Sequence, residues 1–233
     1  TNIAYTSRQA NISDPAFAEK DKDYQKLTTK KYAKYLYNKY DNIYQKENES
    51  KDTTSFVVVD KNGMVVSCTN TLGELFGSKK YVGGFFLNNS SANFNENENS
   101  INSYAPKKQS RTFISPAIIT KGDDYIMGIG SPGANSIPQV LAQVINANLR
   151  NGIDLEDAVE MNRFLFDGNQ VLSEEMISSD IISQIMDDGK NYSVVQDKSK
   201  LLYGSIHAIV KDRNEGIYGI SDSRRRGEYK VKY

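Results

Sequence analysis

Hydrophobic positions recur at two different periods along this chain, and the change falls near residue 53. Upstream, Ala33, Leu36, Tyr37, Tyr40 and Tyr44 are spaced by three and four, which predicts a helix over about Asp23–Glu47 with one apolar stripe packed on a core. Residues 14–23 (DPAFAEKDKD) read as a charged turn, and 46–53 (KENESKDT) as an exposed flexible linker. Downstream the pattern becomes β-rich. SFVVVD (55–60) and MVVSCT (64–69) flank Asn62-Gly63, which predicts a hairpin, because both central residues of such a turn take positive φ. GGFFL (83–87) predicts a further strand, and 88–104, rich in Asn and Ser, a long surface loop.

A second hairpin is expected from 114–120 and 125–130, with Gly122 in its turn. Ser131-Pro132-Gly133-Ala134 then leads into a helix over Ser136–Asn151. Pro138 sits in its first turn, Ile137, Val140, Leu141, Val144, Ile145 and Leu149 form its buried face, and Gly152 caps its end. Helices are expected at 154–163 and at Ser173–Asp187, the latter with Glu174 and Glu175 at its positive end. Strands at 192–196, 204–211 and 216–221 and a basic tail, Arg224-Arg225-Arg226, finish the chain. Strands, then helices, then strands place the chain in the α+β class, and no internal repeat is visible.

Composition narrows the chemistry. Lys and Arg number 29 and Asp and Glu 29, so the net charge is zero and a general nucleic-acid binder is disfavoured. No apolar run approaches the roughly 20 residues of a membrane helix. One cysteine, Cys68, excludes an intrachain disulfide, and one histidine, His207, excludes a multi-histidine metal site. Both lie in predicted strands and read as packed residues. The common phosphate-loop, dinucleotide, nucleophile-elbow and zinc-protease motifs are missing. Catalysis would therefore run on Ser, Thr, carboxylates, Arg and backbone groups. Thr1 is not a natural start, and the chain reads as a processed piece.

One arrangement could supply a base without histidine. The polar linker ends at Asp52, and Thr53 opens the first β-run. A threonine hydroxyl is a poor nucleophile alone, but an α-amine on the same residue, with a pKa near 8, can take its proton. That requires the Asp52–Thr53 bond to be cut.

Several segments in order then resemble the gamma-glutamyltransferase family of N-terminal-nucleophile hydrolases. They are TTSFVVVDKNGMVVSCTNTLGELFGS (53–78), LNNSSANF (87–94), SP (115–116), GSPGA (130–134) and GISDSR (219–224). The resemblance implies a four-layer αββα sandwich, with 1–52 as the tail of a large subunit and 53–233 as the small catalytic subunit. It implies that Thr53 cuts the chain before itself and then attacks γ-glutamyl amides. Thr71 would orient the nucleophile, and the N–H groups of Gly133 and Ala134 would form the oxyanion hole. No cofactor or metal is implied. The partner would be the large subunit of the same precursor, and the location the cell surface or outside the cell.

Departures from the family pattern bear on the substrate. Asn93 stands where glutathione-type members carry a carboxylate for the donor's α-ammonium. Thr112 and Phe113 replace a pair of serines, Ala134 replaces a second glycine, and Ser136 replaces an expected arginine. The loop between Asn93 and Ser115 is too short for a long lid. Together these resemble the branch acting on poly-γ-glutamate capsule, with Arg111 and Arg224 as candidates to read polymer carboxylates. The alternatives are a glutathione hydrolase or transpeptidase, and an unprocessed, inactive precursor fragment or homologue.

Overall fold

The structure, a computed structural model of the chain, describes residues 1–18, 23–39, 52–187 and 192–232. The chain divides into two units, Thr1–Glu49 with Asn89–Thr112, and Ser50–Asn88 with Phe113–Tyr233. Residues 89–112 thus group with the N-terminal unit.

The first unit holds α1 (Asn2–Asn11), a 3-10 turn at Pro15–Phe17, another at Gln25–Thr28, and α2 (Lys30–Lys39). Asp14 caps the first turn by accepting from the Ala16 N–H at 2.9 Å, and its other oxygen accepts from the Gln109 N–H at 2.7 Å. α2 is shorter than predicted, and its stripe differs. Leu36 is buried, but Ala33 and Tyr37 are exposed, and Tyr32 turns inward to Ser7 (3.2 Å) and Asn11 (3.3 Å). Tyr40, Tyr44 and most of the predicted linker lie outside the described residues. The Asn-rich stretch is organised by Asn102, which accepts from the Arg111 N–H (3.0 Å) and donates to the Asn93 carbonyl (2.8 Å).

The second unit begins with the predicted hairpin, β1 (Asp52–Val59) and β2 (Val65–Gly73). Asp60 closes its turn by accepting from the N–H groups of Asn62 and Met64, both at 2.8 Å, and Gly63 has φ +86°. A short hairpin, β3 (Tyr81–Val82) and β4 (Phe85–Phe86), replaces the single strand expected at 83–87, because Gly83 and Gly84 both take positive φ and turn the chain. β5 (Ala117–Lys121) and β6 (Tyr125–Gly130) form the second predicted hairpin. α3 (Ile137–Leu149) and α4 (Leu155–Glu160) follow. β7 (Phe164–Asp167) and β8 (Gln170–Ser173) come next, then α5 (Ser179–Asp187), β9 (Ser193–Gln196), β10 (His207–Asp212) and β11 (Gly216–Ser221). The helix expected from Ser173 thus starts at Ser179. Gly168-Asn169, between the apolar runs Phe164-Leu165-Phe166 and Val171-Leu172, turns the chain into the β7–β8 hairpin ahead of it.

The main sheet has the order β11-β10-β6-β5, all antiparallel. Alternation along β6 decides what each face meets. Met127 and Ile129 point to α3 and α4 and join Val140, Val144, Val159, Ala208 and Val210 in a dry core. Fully burying each large aliphatic contributes about 1.5–3 kcal/mol. Gly128 and Gly130 face the β1–β2 ribbon on the other side. A Cβ on Gly128 would stand 2.6 Å from a Val57 methyl, and one on Gly130 would run into the Ser55 hydroxyl, so the glycines set how closely the sheets approach. The layers of this unit are therefore helix, sheet, sheet. Phe56, Val58 and Val66 on the ribbon's far face are exposed.

Candidate active site

The inner face of the ribbon changes character along its length. Val57, Val59 and Val65 line one end, and Thr53, Ser55, Ser67, Thr69 and Thr71 the other. Ser55 and Thr69 share a buried hydrogen bond of 3.1 Å, and Ser67 donates to the Ile129 carbonyl at 2.8 Å. Thr53 pairs in register with Thr71. The next pair is Asp52 with Gly73, so β2 carries one extra residue, Leu72, opposite the Asp52–Thr53 bond. The Thr71 hydroxyl accepts from the Gly73 N–H at 2.9 Å, which steadies the bulge. Cys68, expected in the core, is half-buried instead. It alternates with Ser67 and Thr69 and lies on the ribbon's other face, level with Phe56.

Gly130, His207 and Ser221 align across the main sheet at the end that meets Ser55. Three connections leave from that end: the 131–136 turn, the 203–206 segment, and the 222–226 segment. Gly133 has φ +138° and Ala134 φ +53°. For alanine the left-handed region costs about 1–2 kcal/mol, a cost that the packing around the turn sustains. Among the described residues, neither the Gly133 nor the Ala134 N–H donates to a protein acceptor. Two unspent donors in a buried small-residue turn at a helix start are suited to a developing oxyanion.

Arg224 does not present a fork to solvent. Its side chain is 6% exposed, and all five N–H donors are used within the chain. They reach Glu174 (2.5 and 2.7 Å), Asp222 (3.2 Å), and the carbonyls of Val159 (2.9 Å) and Met161 (2.8 Å). Arg163 beneath it is buried and donates to Asp222 (2.6 Å), Tyr203 (2.7 Å) and Val159 (2.7 Å). Burial alone would raise the Asp222 carboxyl. The Arg163 charge, the N–H groups of Ile206 and Arg224, and the Arg224 charge outweigh it and hold the group below its ordinary range. Arg224 is thus corrected from a substrate-reading to a structural role. The basic run at 224–226 gave no sign of this. The acids that absorb it lie 2 and 50 residues away in sequence.

The remaining candidates belong to the first unit. Arg111 is buried and donates to the carbonyls of Gln9 (2.8 Å) and Arg8 (3.4 Å), which corrects the expectation of a free fork. Asn93 ends a 3-10 turn at Ser90–Asn93 and is half-buried, and Thr112 is exposed. His207 is half-buried, as expected of a packed histidine. Burial lowers its pKa, with the Asp222 charge opposing in part.

A profile described as Gamma-glutamyltranspeptidase matches residues 1–231. The chain belongs to that family. It is 38% identical over 232 residues to the Capsule biosynthesis protein CapD proenzyme of Bacillus anthracis, covering 99% of this chain and 42% of that protein. It is 30% identical over 186 residues to the Glutathione hydrolase proenzyme of Bacillus subtilis (strain 168), covering 78% of this chain and 31% of that protein. The crystal structure of Bacillus anthracis transpeptidase enzyme CapD, at 37% identity, superposes with a TM-score of 0.65 and covers 77% of this chain and 99% of that chain. The fold is that of the N-terminal-nucleophile hydrolases, α+β as the sequence predicted. The chain spans less than half the length of these two curated relatives.

Proposed function

We propose that this gamma-glutamyltranspeptidase-family chain carries the catalytic part of a γ-glutamyl transferase or hydrolase whose nucleophile is Thr53. The observation that carries this reading is the Thr53–Thr71 register pair on the end of the ribbon that meets Gly130, three residues before Gly133 and its unspent N–H. In the maturation step the Thr53 hydroxyl attacks the Asp52 carbonyl. The acyl group moves from nitrogen to oxygen, and water hydrolyses the ester to free the Thr53 amine. In turnover that amine takes the hydroxyl proton as Oγ attacks a γ-glutamyl carbonyl. The Gly133 and Ala134 N–H groups receive the oxyanion, the proton passes to the leaving amine, and a γ-glutamyl ester remains. Water completes hydrolysis, and an amine completes transfer.

The favoured donor is poly-γ-glutamate. Two features support it: 38% identity to CapD over nearly the whole chain, and the neutral Asn93 where a free donor amine would call for a carboxylate. The partner on this reading is the upstream large subunit of one precursor, acting at the cell surface or outside the cell. The test uses the full precursor. Mass spectrometry is expected to find an N-terminus at Thr53, lost in Thr53→Ala together with activity. Turnover of γ-glutamyl-p-nitroanilide but not of poly-γ-glutamate would replace the capsule reading with the glutathione-type one. An uncut, inactive wild-type precursor would end both.

A further inference from the structure

Two buried serine hydroxyls each hold one of the peptide planes that carry the turn's unspent N–H groups. The Ser131 hydroxyl donates to the Pro132 carbonyl at 2.7 Å. The Ser136 hydroxyl donates to the Gly133 carbonyl at 2.6 Å, and the Ser136 N–H reaches the same oxygen at 3.1 Å. A trans peptide is planar, with its C=O and N–H directed oppositely. Fixing the Pro132 carbonyl therefore fixes the direction of the Gly133 N–H. Fixing the Gly133 carbonyl does the same for the Ala134 N–H. We infer that Ser131 and Ser136 are positioning residues that hold the two oxyanion donors in place before substrate arrives. This rests on the reading of Gly133 and Ala134 as the oxyanion hole.

The Ser131 clamp is itself anchored. Its oxygen accepts from the Ser205 N–H at 3.0 Å, across to the segment before β10. That segment is held on both sides by one ion pair: Asp222 accepts from the Ile206 N–H at 2.9 Å, and Arg163 donates to the Tyr203 carbonyl. Gly204 closes against the turn. A Cβ there would stand 2.6 Å from the Ser131 hydroxyl and 2.9 Å from the Pro132 carbonyl, and its φ of +70° favours glycine as well. Ser131 and Ser205 are wholly buried and Ser136 is 4% exposed, so water does not compete for these hydrogen bonds. Preorganised donors lower the barrier because they need no rearrangement as charge develops.

The test uses the full precursor, with rates expressed per molecule cut before Thr53. Ser131→Ala is expected to lower kcat about tenfold to a hundredfold while KM stays within about twofold, since one complete oxyanion donor is worth 10²–10³. Ser136→Ala should lose less, because its N–H still holds the Gly133 carbonyl. A boronic-acid analogue of the γ-glutamyl donor should lose affinity by the same factor as kcat, which a role in folding alone would not produce. Unchanged kcat and boronate affinity in both variants overturn the clamp, as does a rise in KM with kcat kept. Should an alanine variant give no cut protein, Ser131→Thr or Ser136→Thr, which keep the hydroxyl, decide. Recovery supports the clamp and equal loss overturns it. A wild-type precursor without γ-glutamyl activity overturns the parent reading, whereas activity insensitive to both serines overturns only the clamp.

Discussion

Thr53 faces Thr71 across the β1–β2 ribbon, and the register slips by one residue immediately beyond them, at the Asp52–Thr53 bond. A strand pairing that breaks at that point leaves the bond in less regular backbone. Thr71 braces the irregular side through its bond to the Gly73 N–H.

Thr71→Val keeps the shape of the side chain and removes that hydroxyl. Cutting before Thr53 and turnover should both slow about tenfold or more, followed by a mass-spectrometric time course, with little change in melting temperature. Cutting at the wild-type rate would remove Thr71 from the proposed site.

The approach of the ribbon to the main sheet depends on the glycines of β6. Gly130→Ala should destabilise by about 1–3 kcal/mol through overpacking against Ser55. Gly152→Ala, with φ +71° and open space around its Cβ, should cost only about 1 kcal/mol. Denaturant melts of the two variants separate crowding from backbone conformation.

Removing one member of the buried pair leaves the other uncompensated. Arg163→Met strands the Asp222 carboxylate and the Val159 and Tyr203 carbonyls, and should cost about 3–5 kcal/mol in equilibrium unfolding. Arg224→Lys replaces a five-donor fork by a point charge. It should lower the melting temperature without a selective rise in KM for poly-γ-glutamate. A large rise in KM at unchanged stability would restore Arg224 as a substrate residue.

His207 sets an acid limit on stability. Its folded pKa lies below the ordinary 6.5, chiefly through burial. Above pH 6.5 the residue is neutral in both states and its burial carries no charge penalty. As pH falls below 6.5 the unfolded chain takes up the proton first, so stability declines until pH passes the folded pKa. Asp222 is the charged group that opposes the shift, and Ser205 lies 3.5 Å from Nε2. His207→Gln should flatten this part of the pH–stability curve, measured by thermal melts between pH 5 and 7.

Local signals carried much of the fold. Asn62-Gly63 and Gly122 marked their hairpins, and the 3–4 spacing from Ile137 marked α3, because turn geometry and one-sided burial are written in adjacent residues. At Gly168-Asn169 a further turn joins β7 to β8, and the helix expected from Ser173 starts only at Ser179. The stripe on α2 shifted from Ala33 and Tyr37 to Tyr32 and Leu36, because which helix face is buried depends on a neighbour distant in sequence.

By itself the sequence determined the α+β class, the absence of cysteine- or histidine-cluster chemistry, and the motifs around Thr53, Thr71 and Gly133-Ala134. Each of these follows from composition or from a few contiguous residues. Only the tertiary structure decided that Arg224 is spent within the chain, that Arg111 is buried on carbonyls, and that Cys68 leaves the core. It alone joined Ser131 to Ser205, 74 residues apart. A guanidinium reads the same in sequence whether it meets water, a substrate or a buried carboxylate. What it does is set by the partners that folding brings to it.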